Sequence, residues 1–145
     1  MPVQTTYSGR PAAAYEGMVA FEEPSLTVSR IVETAGGIGF GKPAFQGTRD
    51  EGIVATGSVF RGVTLADRNL SPHNGGDLFA QHDTAPVMIK GTVWVVVSGA
   101  VAAGAPAFLT PAGAFTAQGT GNVPVPNALF DSSAGAGGLA RLRLN

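Results

Sequence analysis

The chain has 145 residues, a net charge of −1, 44% hydrophobic residues and only 13% charged ones, a balance that suits one globular domain and not a disordered chain. Its basic residues are scattered and form no stripe that would displace counterions from phosphates, which argues against a nucleic-acid partner. With no cysteine, disulfides and thiolate chemistry are excluded, while 21 glycines and 10 prolines require many turns.

Residues 1–24 form the first predicted element, an extended N-terminal arm rich in Ala, Pro, Gly, Thr and Ser. Tyr7, Tyr15, Met18 and Phe21 are spaced along it. Two readings stand: a frayed terminus, or an arm that orders against a neighbouring subunit with those four side chains as anchors. The arm shows neither the basic start nor the apolar run of a signal peptide.

Residues 25–145 read as a single β domain. No segment keeps apolar residues at helical spacing for ten or more positions without meeting Gly or Pro. Strand-like runs recur instead: "LTVSRIVETA", "GIVATGSVFRGVTLA", "APVMIK", "GTVWVVVSG", "GAFTA" and "LARLRLN". In the last, alternation predicts a half-buried strand with its arginines facing water. The pattern predicts an all-β fold, a compact β-barrel or a jelly-roll-like sandwich. The apolar stretch from Val93 to Leu109 is broken by Ser98, Gly99, Gly104 and Pro106, short of the roughly 18 residues that span a bilayer, so no membrane role is expected.

Val93, Trp94 and Val95, with Phe108 on the return, are assigned to the structural core. A weak internal echo surrounds them. "VETAGGIGFGKPAF" (Val32 to Phe45) superposes on "VVVSGAVAAGAPAF" (Val95 to Phe108), matching Gly41 with Gly104 and Pro43 with Pro106. A shared hairpin is the expected cause, with a proline opening each return strand.

Candidate chemistry fails on spacing. Gly36 to Pro43 fits the phosphate-binding loop except at its last position, where Pro43 replaces the Mg²⁺-binding hydroxyl, and no helix is expected to follow. Asp67, His73, Asp77, His82 and Asp83 match no metal-ligand spacing and read as an exposed loop. Ser98 lacks a nucleophile elbow, and the adjacent Glu22 and Glu23 would point to opposite faces of a strand. No catalytic, cofactor-binding or metal residue is assigned, and the chain reads as a non-enzyme.

The stretch Asp77 to Ala117, "DLFAQHDTAPVMIKGTVWVVVSGAVAAGAPAFLTPAGAFTA", resembles the cement, or head-decoration, proteins of tailed bacteriophages. The resemblance extends to Ser29–Thr48, Phe60–Leu65 and Ser132–Leu144, covering most of the chain from Ser29 onward. It implies a virion structural protein on the outer capsid surface, made in the host cytoplasm. Such a protein clamps neighbouring copies of the major capsid protein and associates with itself as a dimer or trimer. The alternative is a β-type binding module for a glycan or receptor, for which one Trp and two Tyr offer few aromatic platforms. An enzyme of unfamiliar type using His73, His82 and Asp83 is the third reading.

Overall fold

Short runs of Val, Ile, Phe and Thr between glycine- and proline-bearing turns fold as strands, because branched and aromatic side chains fit a pleated, half-buried surface. The computed structural model describes Gly9, residues 13–68 and residues 77–145. Among the described residues it contains strands β1 (Leu26–Val32), β2 (Ile38–Gly39), β3 (Pro43–Gln46), β4 (Gly52–Val54), β5 (Phe60–Thr64) and β6 (Leu78–Phe79). The second half holds β7 (Thr84–Val96), β8 (Pro106–Leu109), β9 (Phe115–Thr116), β10 (Val123–Phe130) and β11 (Leu139–Leu144). The fold is all-β, as the sequence predicts.

The main sheet runs β1-β4-β3-β5-β7-β11-β10-β8-β9, and β1 pairs back onto β7. That return closes a first barrel of β1, β4, β3, β5 and β7. A parallel bridge between Val97, just past β7, and Phe115 of β9 closes a second barrel of β7, β11, β10, β8 and β9. The two circuits match strand for strand. β1 lies parallel to β4 as β7 lies parallel to β9. The antiparallel steps β4–β3, β3–β5, β5–β7 and β7–β1 are repeated as β9–β8, β8–β10, β10–β11 and β11–β7. β2 and β6 form a separate ribbon inserted in the first barrel's connections.

This repetition explains the internal echo and corrects its reading as a hairpin. Pro43 and Pro106 do open equivalent strands, β3 and β8, each two residues after a glycine of positive φ, Gly41 at 65° and Gly104 at 89°. But β3 pairs with β4 and β5, not with β1, and β8 pairs with β9 and β10, not with β7. The glycine turn carries the chain across the barrel to a non-adjacent strand. The echo marks two copies of one barrel.

One strand serves both cores. On β7, Ala85 and Val87 join a cluster with Val32, Ile53 and Phe79. Met88, Val93, Val95 and Val97 join a larger one with Phe115, Phe130 and Leu142. A regular strand alternates faces, so Val87 and Val93 should share one face. A bulge breaks the alternation: the β1 partners Leu26 and Thr27 oppose Lys90 and Met88, leaving Ile89 extra. Gly91, at a φ of 131°, completes the turnover of the strand.

The structure also differs from expectation at two core positions. Val93 and Val95 are fully buried, but Trp94 and Phe108 are half-buried. With both neighbours facing inward, Trp94 must project from the opposite face, since adjacent strand residues cannot share a one-sided core. Phe108, between the buried Ala107 and Leu109, is turned outward for the same reason.

Candidate interaction surface

Residues 13–24 do not leave the body as a free tail; they lie as a strap along β7. The Gly17 amide donates to the Trp94 carbonyl at 2.8 Å, the Trp94 amide to the Met18 carbonyl at 2.9 Å, and the Ala20 amide to the Thr92 carbonyl at 2.9 Å. Val19 bridges Val93. The Ala66 amide donates to the Gly17 carbonyl, so the strap is stitched on two sides. These bonds satisfy backbone groups of β7 beyond the reach of β1, which is why a segment so rich in small residues orders here.

Side chains fasten the strap at both ends. Glu16 pairs with Lys42 at 2.6 Å, and Glu23 pairs with Arg143 at 3.1 Å while accepting from the Thr92 hydroxyl at 2.6 Å. Arg68 stacks over Tyr15 at 4.2 Å, and Arg141 sits 5.0 Å from the Phe21 ring centroid and 5.8 Å from that of Trp94. Such cation–π contacts contribute about 0.5–1 kcal/mol each near the surface. Arg141 Nε lies 3.5 Å from Asp131 Oδ2, an ionic contact without a hydrogen bond, since this nitrogen is buried with no hydrogen-bonding partner. The sequence reading placed both β11 arginines toward water. Their aromatic partners come from β7 and the strap, and their acidic ones from the strap (Glu23) and the residue after β10 (Asp131), so only strand register reveals them.

The strap leaves three large apolar side chains outside, beside the exposed Glu22. Tyr15 is 40%, Val19 40% and Phe21 38% exposed, while Met18 is half-buried beside Trp94. Three of the four proposed anchors, Tyr15, Met18 and Phe21, thus lie on one strap; Tyr7 lies outside the described residues. A second apolar surface surrounds a groove of about 340 Å³ between the barrels, lined by Phe45 and Phe60 on one side and Leu109, Val123 and Pro126 on the other. At 65% exposed, Val123 is more open to solvent than Tyr15, Val19 or Phe21 of the strap.

The remaining candidates have structural places. Gly36 to Pro43 runs through a turn and β2 into β3, with no helix after it, and Lys42 is held by Glu16. His73 lies outside the described residues. Exposed His82, at a φ of 73°, and Asp83, whose carboxylate accepts from the Ala80 amide at 2.8 Å, build the turn into β7. Among the described residues no group of three or more His, Asp or Glu could hold a metal ion, and no helix is long and apolar enough to cross a membrane.

One carboxylate stands out electrostatically. Glu33, at the end of β1, accepts from the Thr48 amide at 2.8 Å, the Arg49 amide at 3.0 Å and the Thr48 hydroxyl at 3.1 Å. Those donors hold its pKa below the ordinary 4.5, the Thr48 and Arg49 backbone bonds most of all. The group pins the β3–β4 turn to β1, and its setting is that of a structural clasp.

Comparison with known proteins gives the fold and the family. No curated protein matches the chain in sequence. In structure it is similar to a chain from "The capsid of Myoviridae Phage XM1", with a TM-score of 0.79 at 16% identity over 100% of this chain and 98% of that one. It is less similar to the N base of head fibre gp8.5 from bacteriophage phi29, with a TM-score of 0.47 at 12% identity over 84% of this chain and 95% of that one. Residues 3–145 match the family described as "Structural cement protein (E217 gp24/Pam3 gp6)". A chain matched over nearly its whole length belongs to that family, and this protein is a member of the phage structural cement proteins.

Proposed function

We propose that the chain lies on the outer surface of the phage head and clamps neighbouring copies of the major capsid protein, without catalysis or cofactor. The observation that carries this reading is the repeated barrel. Two bodies of one topology share β7, so each chain offers two related faces at a fixed separation. A repeating lattice presents equivalent sites at fixed separations too. Binding the first site then makes the second encounter intramolecular, which raises the effective concentration to the millimolar range.

Tyr15, Met18 and Phe21 on the strap, with Tyr7 upstream, serve as the apolar anchors at the capsid or subunit interface. A standard interface buries about 800 Å² per partner. A few kcal/mol per copy then adds up over a closed shell, and self-association as a dimer or trimer multiplies it. The low charge of the chain and the absence of a basic stripe support a protein partner over nucleic acid. Synthesis in the host cytoplasm precedes assembly onto the virion.

Co-sedimentation with undecorated heads tests this. Saturable binding at a fixed ratio to the major capsid protein is expected, together with at least about a tenfold loss of affinity for the Tyr15→Ser/Phe21→Ser double variant at unchanged fold. Absence of co-sedimentation would remove the head as the partner. Full binding by the double variant would remove the strap as the contact.

A further inference from the structure

The groove between the barrels is an apolar surface that head binding through the strap does not use. We propose that it receives the chain's own N-terminal segment, Met1–Tyr7, in the same copy.

Three observations carry this. The first is chemistry: none of the groove-lining residues is charged, and its walls are aromatic and proline side chains such as Phe45, Phe60, Pro111 and Pro126. Aromatic-lined grooves of this kind take extended, proline-bearing chain. "MPVQTTY" is such a segment, with no charged side chain and with Pro2 and Val3 to fill the groove.

The second is position. Glu16 of the strap lines a hollow of about 270 Å³ that shares Gly113 with the groove. The groove therefore begins one hollow away from Glu16. The third is length. The five residues Ser8–Ala12 lie between the segment and the strap and span up to about 17 Å when extended. A tether so short holds the segment at an effective concentration near the millimolar range, so weak docking suffices.

Docking would cover Val123, the most exposed large hydrophobic among the described residues, on a free chain that otherwise carries an open apolar patch. The inference concerns the free chain and stands or falls independently of head binding.

The chain has no cysteine, so Thr56→Cys on the groove wall accepts a single nitroxide label. In one sample the label and ¹⁵N reside on the same chain, diluted into unlabelled chains. In a second they reside on different chains. The amides of Val3 to Tyr7 are expected to lose most of their intensity in the first sample and none in the second. Val123→Asp, which places a charge on the exposed rim, should restore the lost intensity. Broadening in the second sample would assign the groove to a neighbouring copy and overturn the proposal. Sharp amides in both would leave the groove to a different partner and overturn it equally.

Discussion

At the scale of single residues, Glu33 and Trp94 show how a side chain's meaning depends on what faces it. Glu33 titrates below the ordinary value of 4.5 because two backbone amides and a hydroxyl donate to its charged form. A carboxyl whose pKa is lower folded than unfolded contributes stability that is complete above the unfolded value. That contribution is lost as pH falls through the folded value. Glu33→Gln should therefore lower the melting temperature at pH 7, and its deficit against the parent should shrink as pH falls below 4.5. Thermal unfolding at stepped pH checks this, and a deficit independent of pH would contradict it. Glu33 is one of several acidic residues in the sequence, and nothing local distinguishes it; its donors arrive from the β3–β4 turn.

At the scale of elements, β7 is the decisive strand. Its valine run is legible because branched residues at such density suit only a buried strand. The same alternation that marks the strand forbids Val93, Trp94 and Val95 from sharing one core, so Trp94 falls to the strap side. The bulge at Ile89 and the positive φ of Gly91 at 131° leave no comparable signature. A Cβ on Gly91 would lie 2.9 Å from the Ser25 Cβ and 3.0 Å from the Met88 sulfur. Gly91→Ala is therefore expected to cost about 1–3 kcal/mol in urea unfolding, whereas Lys90→Ala at the exposed neighbour should stay within about 0.5 kcal/mol. Equal effects would mean that the bulge is not held by the glycine.

At the scale of the whole molecule, two closed barrels share a strand, so neither can melt without exposing the other's core. Unfolding should be one cooperative transition by calorimetry, although the described residues form two hydrophobic clusters. Leu142→Ala in the larger cluster and Val32→Ala in the smaller, both fully buried, should each move that whole transition. The Leu142 change should cost about 2–5 kcal/mol. Two resolved transitions would make the barrels independent units.

What the sequence determined by itself was the class and the kinship: strand-length apolar runs broken by Gly and Pro leave no room for helices, and the Gly, Pro, Val and Trp pattern carries the resemblance to cement proteins. It also contained Pro43 and Pro106 in matching contexts. Their significance was decided only in three dimensions, because strand pairing joins residues far apart in the chain and a crossover reads locally like a hairpin. Tertiary structure likewise decided which face Trp94 takes, which partners Arg141 and Arg143 find, and that Phe45, Phe60 and Val123 meet in one groove. Those outcomes follow from register and closure, which arise when strands distant in sequence satisfy one another's backbone hydrogen bonds.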